Sequence, residues 1–254
     1  MSRYPTSAKA IELAKEGDKY YFSSRRKEAI DYYNQTLSLE PDCVYALVQR
    51  GLALQEEGQL EAAVKDYEKA IQLDPDYGPA YYGRGWAKDW MKDFAGELED
   101  AQKGLGLDSQ NPGMYLRRIG AAFSGLKRYE ESVGAYSQAI SLNPNDEGTI
   151  YNRGICYLLM GRNQLAVEDF DRALVLDPDW AWAFYHRGIA HEQLGNLDQA
   201  MSDVNSCLKY DPNYQLAAKA VQRLNEKMKP ATSRPNASQS QAGEKKSWWK
   251  KLTG

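Results

Sequence analysis

The feature that most limits what this chain can become is a ladder of glycines at Gly17, Gly51, Gly85, Gly120, Gly154 and Gly188, separated by 34, 34, 35, 34 and 34 residues. A fixed period of that length means that one supersecondary unit is copied along the chain, each copy stacking on the next to bury a face it cannot bury alone. A second ladder keeps the same register: Pro41, Pro75, Pro144, Pro178 and Pro212, with Ser109 where the missing proline would fall. After a lead-in at residues 1–9, six repeats occupy residues 10–212, starting near residues 10, 44, 78, 113, 147 and 181.

Within each repeat, apolar residues recur at three- and four-residue spacing on both sides of a short polar turn. This pattern predicts two amphipathic helices, A and B. The glycine lies inside helix A, where it costs about 1 kcal/mol against alanine. The expected compensation is close approach of helix B, which carries small residues at Ala29, Ala63, Ala166 and Ala200, and again at Thr36, Ala70, Ala139, Ala173 and Cys207. Larger groups are expected to fill the space between repeats: Tyr33, Tyr67, Tyr136 and Phe170 on B, with Tyr20, Leu54, Phe123 and Tyr157 on A. The proline ends helix B, since it lacks an N–H and pushes its predecessor out of the helical region. Residues 213–228 read as a closing helix with Leu216, Ala217, Ala220, Val221, Leu224 and Met228 as its apolar stripe, the cap that a stack of repeats needs on its last face.

Small, large and proline places in this order resemble the tetratricopeptide-repeat family, over about residues 10–214. The resemblance implies an all-α, right-handed superhelical solenoid of antiparallel helix pairs, whose A helices line a concave groove for a partner peptide or helix. Carried onto this chain, the groove side holds Tyr45, Gln49, Tyr82, Trp86, Asp89, Trp90, Arg117, Arg118, Tyr151, Asn152, Trp182, Tyr185 and His186. Aromatic groups with polar tips, among Arg and Asn, suit a protein ligand. The implied function is a non-enzymatic scaffold or adaptor; the alternative is a structural subunit packed by its convex or edge surface. Relatives that clamp chaperone C-termini use Lys and Asn on one A helix, Asn on the next, and Lys with Arg on a third. Asn152 matches the middle element, but Ala121, Trp182 and His186 occupy places where that clamp needs Asn, Lys and Arg, so the resemblance does not extend to that ligand.

Comparing the repeats with one another adds a further expectation. Arg50, Arg84, Arg153 and Arg187 each precede the glycine, and Asp66, Asp100, Asp169 and Asp203 stand sixteen residues later. Repeats one and four lack both charges together, with Glu16 beside Tyr32 and Ile119 beside Ala135 in those places. Joint presence and joint absence predict an Arg–Asp bridge between helices A and B of one repeat, which makes these residues part of the frame. Repeat three departs from its neighbours at Lys88, Glu97, Ala101 and Gly104, and one extra residue precedes repeat four. Either this is tolerated drift, or it marks a hinge between two halves.

Charge and chemistry narrow the function. Formal net charge is −3, but residues 229–254 carry +5, leaving −8 on the rest, so nucleic acid is not the expected ligand. Cys43, Cys156 and Cys207 form neither a C-x-x-C motif nor an even set, which suggests neither zinc nor a disulfide framework and fits the cytosol. With two histidines, His186 and His191, and no P-loop, G-x-S-x-G or H-E-x-x-H, no catalytic residue, cofactor or metal is expected. Residues 229–243 read as a flexible linker and 244–254 as a basic motif in which Trp248, Trp249 and Leu252 sit among Lys245, Lys246, Lys250 and Lys251. Its candidate contacts are an anionic membrane surface on the cytoplasmic side, a partner groove, or the chain's own acidic repeats. Oligomeric state is left open.

Overall fold

The structure is a computed structural model that describes residues 3–229. The described residues form thirteen α-helices and no strand. They run as six helix pairs: α1 (Ala8–Phe22) with α2 (Arg26–Leu39), α3 (Val44–Glu56) with α4 (Leu60–Leu73), α5 (Gly78–Trp90) with α6 (Phe94–Leu107), α7 (Pro112–Gly125) with α8 (Tyr129–Leu142), α9 (Glu147–Leu159) with α10 (Asn163–Leu176), and α11 (Ala181–Leu194) with α12 (Leu197–Tyr210). A last helix, α13 (Gln215–Met228), packs on α12. Helices α1–α10 belong to one compact body ending at Pro178, and α11–α13 to a second beginning at Asp179.

Every A helix ends in the same way. Ser24, Gly58, Lys92, Lys127, Gly161 and Gly195 have φ of 60°, 77°, 62°, 61°, 72° and 84°, the left-handed conformation that stops a helix. The next residue then donates its N–H back to helix A, as Gln59 does to the Leu54 carbonyl at 2.9 Å and Arg128 to Phe123 at 2.8 Å. Only three of these six places are glycine, so the ladder is half hidden in the sequence. Helix B ends in a turn that the proline starts. The Cys43 N–H reaches the Glu40 carbonyl across Pro41 at 3.1 Å, and Tyr77 reaches Asp74 across Pro75 at 3.2 Å. At Ser109, where proline is absent, the Asp108 carboxylate accepts the Gln110 and Asn111 N–H groups at 3.0 and 3.3 Å, and beside Pro75 the Asp74 carboxylate likewise accepts the Asp76 N–H at 3.2 Å.

Four of the six helix A glycines, Gly17, Gly51, Gly120 and Gly154, make room for a ring of helix B, while Gly85 and Gly188 let the helix B backbone come close, a built Cβ falling 3.4 Å from the Glu97 carbonyl and 3.2 Å from the Ala200 carbonyl. A Cβ on Gly51 would fall 2.7 Å from the Tyr67 ring, one on Gly17 2.6 Å from Tyr33, and one on Gly120 2.6 Å from Tyr136. In these four repeats the large helix B residue lies under the glycine of its own repeat, and Tyr67 also fills the space to the next repeat, where a Cβ on Gly83 would fall 2.4 Å from its ring. Tyr33 and Tyr67 are fully buried.

The Arg–Asp bridges form as two-pronged pairs within each repeat: Arg50 to Asp66 at 2.7 and 2.6 Å, Arg84 to Asp100 at 2.9 and 2.6 Å, Arg153 to Asp169 at 2.8 and 2.7 Å, and Arg187 to Asp203 at 2.9 and 2.6 Å. The fork of the guanidinium matches a carboxylate edge, and burial shields the pair from water. Arg50 and Arg153 also reach back to the preceding repeat, to Asn34 at 2.8 Å and Ser137 at 3.0 Å. In the second body, Arg223 and Lys227 of α13 hold Glu192 of α11 at 2.6 and 2.7 Å.

Repeat three, irregular in sequence, is tied to repeat four by reciprocal changes. Gly104 stands where other repeats carry Ala, Thr or Cys, and Tyr115 where repeats two and three carry Ala46 and Ala80. The Tyr115 ring fills the gap: a Cβ on Gly104 would lie 2.3 Å from it. Tyr115 is fully buried, and its hydroxyl donates to Asp108 at 3.3 Å. Phe94 packs on Gly125 in the same manner, with 2.4 Å between ring and built Cβ. Lys88 turns its ammonium to Asp100 at 2.8 Å.

Candidate partner-binding surface

On α5 the four-residue spacing of Tyr82, Trp86 and Trp90 puts three rings on one helix face. Tyr82 and Trp86 are 6.3 Å apart and Trp86 and Trp90 6.4 Å apart between centroids, the latter pair edge to face at 85°. Tyr82 also meets Tyr115 of α7 edge to face at 5.8 Å. The row grades outward, from half-buried Tyr82 and Trp86 to Trp90 at 48% exposure.

Arg117 and Arg118, adjacent in sequence, part company on α7 because successive residues of a helix point about 100° apart. Arg117 is 41% exposed and pairs with Asp146 at 3.1 Å. Arg118 is only 16% exposed and bonds Asp89 at 3.1 Å and Glu97 at 3.2 Å, with its guanidinium 5.4 Å from the Trp86 ring centre. Burial acts to lower the Arg118 pKa, but Tyr82, Glu97 and Asp89 outweigh it and raise it, so the guanidinium stays charged. Both bonds leave from Nη1, and the buried Nε has no hydrogen-bond partner, so the guanidinium is turned into the protein, where it fixes Trp86 and Asp89.

Glu97 is fully buried, and burial pushes its carboxyl up to about 8, with the nearby Asp89 charge adding to the effect and Arg118 opposing it. One oxygen, Oε2, finds no partner, as expected of a carboxyl that carries a proton at neutral pH. The signal for this site was visible in sequence as a glutamate where the other repeats carry Ala or Ser.

Tyr151 and Asn152 on α9 are half-buried, with Tyr151 at 5.6 Å from the Phe170 ring. In the second body Trp182 is 53% exposed. Tyr185 turns inward, 6% exposed, edge to face with Tyr214 at 5.0 Å. His186 Nδ1 lies 2.9 Å from the Trp182 carbonyl oxygen, and burial lowers its pKa, leaving the ring neutral at pH 7. Lys245, Lys246, Trp248, Trp249, Lys250, Lys251 and Leu252 lie outside the described residues. Among the described residues no helix is long and apolar enough to cross a membrane, and no group of three His, Cys, Asp or Glu is placed to hold a metal ion.

Paired helices with recurring glycine–ring contacts and aromatic side chains along an A helix define a helical-repeat protein of the kind that recognises other proteins by surface. Models of the tetratricopeptide repeat match residues 44–77, 118–146, 149–179 and 183–214, and the chain belongs to the tetratricopeptide-repeat family. No curated protein matches significantly. Among solved structures it is similar to YrrB, described as a tetratricopeptide-repeat protein with an unusual peptide-binding site, at 23% identity and TM-score 0.61 over 75% of this chain and 97% of that one. PilW, a type IV pilus biogenesis factor, aligns at 14% identity and TM-score 0.78 over 87% of this chain and 100% of that one. The Cut9–Hcn1 assembly of the APC/C aligns at 18% identity and TM-score 0.76 over 85% of this chain but only 43% of that one. These likenesses show a shared fold.

Proposed function

We propose that this chain is a non-catalytic scaffold or adaptor that holds a partner peptide or helix against the A-helix face carrying Tyr82, Trp86 and Trp90, with Arg117, Tyr151 and Asn152 beside it and Trp182 and His186, backed by the inward-turned Tyr185, as the corresponding set in the second body. The supporting observation is the graded aromatic row on α5, whose outer member Trp90 is 48% exposed while its inner members are fixed by Arg118 and Tyr115. Large rings held in place lose little conformational freedom on binding, and such anchors dominate protein interfaces. YrrB, similar in fold, is described as having a peptide-binding site, which favours the same use here.

Charge reversal at Arg118 would damage the frame, so the discriminating variants are Trp86→Ala with Trp90→Ala, and separately Arg117→Glu. Affinity capture followed by mass spectrometry, comparing these with the wild-type chain, is expected to lose the same specific partner in both variants at unchanged helix content. Retention of that partner by both would favour a structural subunit packed through its other faces, where Leu142 and Val175 are 55% and 80% exposed. For residues 244–254 we propose attachment to an anionic membrane surface. Co-sedimentation with phosphatidylserine vesicles is expected to fall when they are deleted, and equal pelleting of both forms would refute it.

A further inference from the structure

Residues 3–7 do not trail away from the fold. The Ser7 side chain caps α1, accepting the Ala10 N–H at 3.3 Å, and the Thr6 and Ser7 N–H groups donate to the Glu40 carboxylate at 3.0 and 2.8 Å. Beyond that anchor, Arg3 and Tyr4 lie across the start of α3 and the loop before α5. The Arg3 carbonyl accepts the Tyr45 N–H at 2.9 Å, one of the first-turn amides that a helix leaves without a partner of its own. The Arg3 Nε donates to Asp74 at 2.6 Å, its guanidinium sits 4.8 Å from the centre of the Tyr77 ring, and the Tyr4 ring lies 5.6 Å from that of Tyr45. Tyr45, expected to line the groove, is thus already covered by the chain itself.

The receiving surface is fixed without this segment. Tyr45 is anchored through its hydroxyl to Asp18 at 2.7 Å, Tyr77 belongs to the buried cluster that includes Val44, Leu47 and Tyr67, and Asp74 caps the end of α4 and accepts the Asp76 N–H at 3.2 Å. Arg3 and Tyr4, by contrast, keep 41% of a side chain and 56% of a residue in solvent. An ion pair that open to water holds weakly. A rigid receptor with a loosely held occupant is the arrangement of a site whose own tether shields it from casual ligands.

We propose that the surface formed by Tyr45, Asp74, Tyr77 and the first turn of α3 is a second docking site, filled here by the chain's own Arg3 and Tyr4, and that its ligand is a partner segment carrying an arginine followed by an aromatic residue. Arginine is specified over lysine because a planar guanidinium can bond a carboxylate edge while lying over a ring. The following aromatic residue is specified by the Tyr45 ring, and the backbone position by the Tyr45 N–H. The site is separate from the α5 row and does not rest on the reading given above.

The test uses the full-length chain with Arg3→Ala and Tyr4→Ala, which empties the site of both side chains while leaving the anchor at Thr6 and Ser7. The probe is a fluorescein-labelled peptide Ser-Arg-Tyr-Pro-Thr, the sequence of residues 2–6, followed by fluorescence anisotropy. Saturable binding to the emptied chain is expected, weaker by about tenfold in the wild type, where the tethered segment competes, and weaker by about tenfold when Asp74→Asn is added to the emptied chain. Matching thermal melts would show that all three proteins are folded. Absence of saturable binding, equal binding by wild type, or indifference to Asp74→Asn would each overturn the proposal. So would a wild-type dimer that the Arg3→Ala and Tyr4→Ala changes dissolve, because the site would then serve exchange between copies.

Discussion

Glu97→Gln removes a buried carboxyl whose titration shapes the stability of this molecule. Below the ordinary glutamate range, about pH 4.3, the group is protonated folded or unfolded and contributes nothing to pH dependence. Between that range and its folded value of about 8, the unfolded chain is ionised while the folded chain is not, so stability falls as pH rises. Each pH unit in this window removes about 1.4 kcal/mol, which sums to about 3 kcal/mol between about pH 5.5 and about pH 8. Above the folded value both forms are charged and the loss levels off. Glutamine keeps the size of the side chain and does not titrate. In urea unfolding followed by far-ultraviolet circular dichroism, the Glu97→Gln protein should gain on the wild type steadily across that window, by up to about 3 kcal/mol at its alkaline end. Other titrating groups are common to both proteins and cancel in the difference. A difference that stays constant with pH would refute the assignment of a protonated Glu97, and with it the account of how burial and Asp89 outweigh Arg118.

Two further outcomes follow from the packing. Gly104→Ala should cost about 2 kcal/mol by forcing a methyl into the Tyr115 ring, and Tyr115→Ala about 3 kcal/mol or more by opening a void. The double variant, which recreates the Ala70 and Ala80 arrangement of equivalent places, should lose less than the sum by at least about 1 kcal/mol, and strict additivity in urea unfolding would refute the pairing. Asp169→Asn leaves the guanidinium of Arg153, 18% exposed, without its carboxylate and should destabilise by about 3 kcal/mol, whereas Glu131→Gln at the exposed pair with Arg128 should leave the melting temperature unchanged; equal effects would refute the distinction.

The frame of this protein could be read from sequence where a residue and its partner fall in the same repeat. Arg50 with Asp66 and Arg153 with Asp169 announce themselves because repeats one and four drop both members together. Tyr115 and Gly104 were opaque for the opposite reason: the compensating changes sit in different repeats, so each looks like drift when repeats are compared one at a time. The turn ladder was half legible, since Ser24, Lys92 and Lys127 take the conformation that Gly58, Gly161 and Gly195 advertise. Among candidate contacts, sequence treated Arg117 and Arg118 as equals, and only the helical angle between them turns one outward and the other into the protein. The placement of Arg3 and Tyr4 had no periodic signal at all, because a segment without regular structure follows the surface it lands on.

The exchange of bulk between Gly104 and Tyr115 bears on how such an array can change over generations. Repeats that meet through identical small residues are interchangeable cassettes, free to be duplicated, deleted or reordered. A repeat that ends in Gly104 accepts only a successor that brings its own tyrosine, and that successor fits no other predecessor without collision. Repeats three and four are thereby bound into one heritable block, and a shuffled or shortened descendant must keep them together or repair both faces at once.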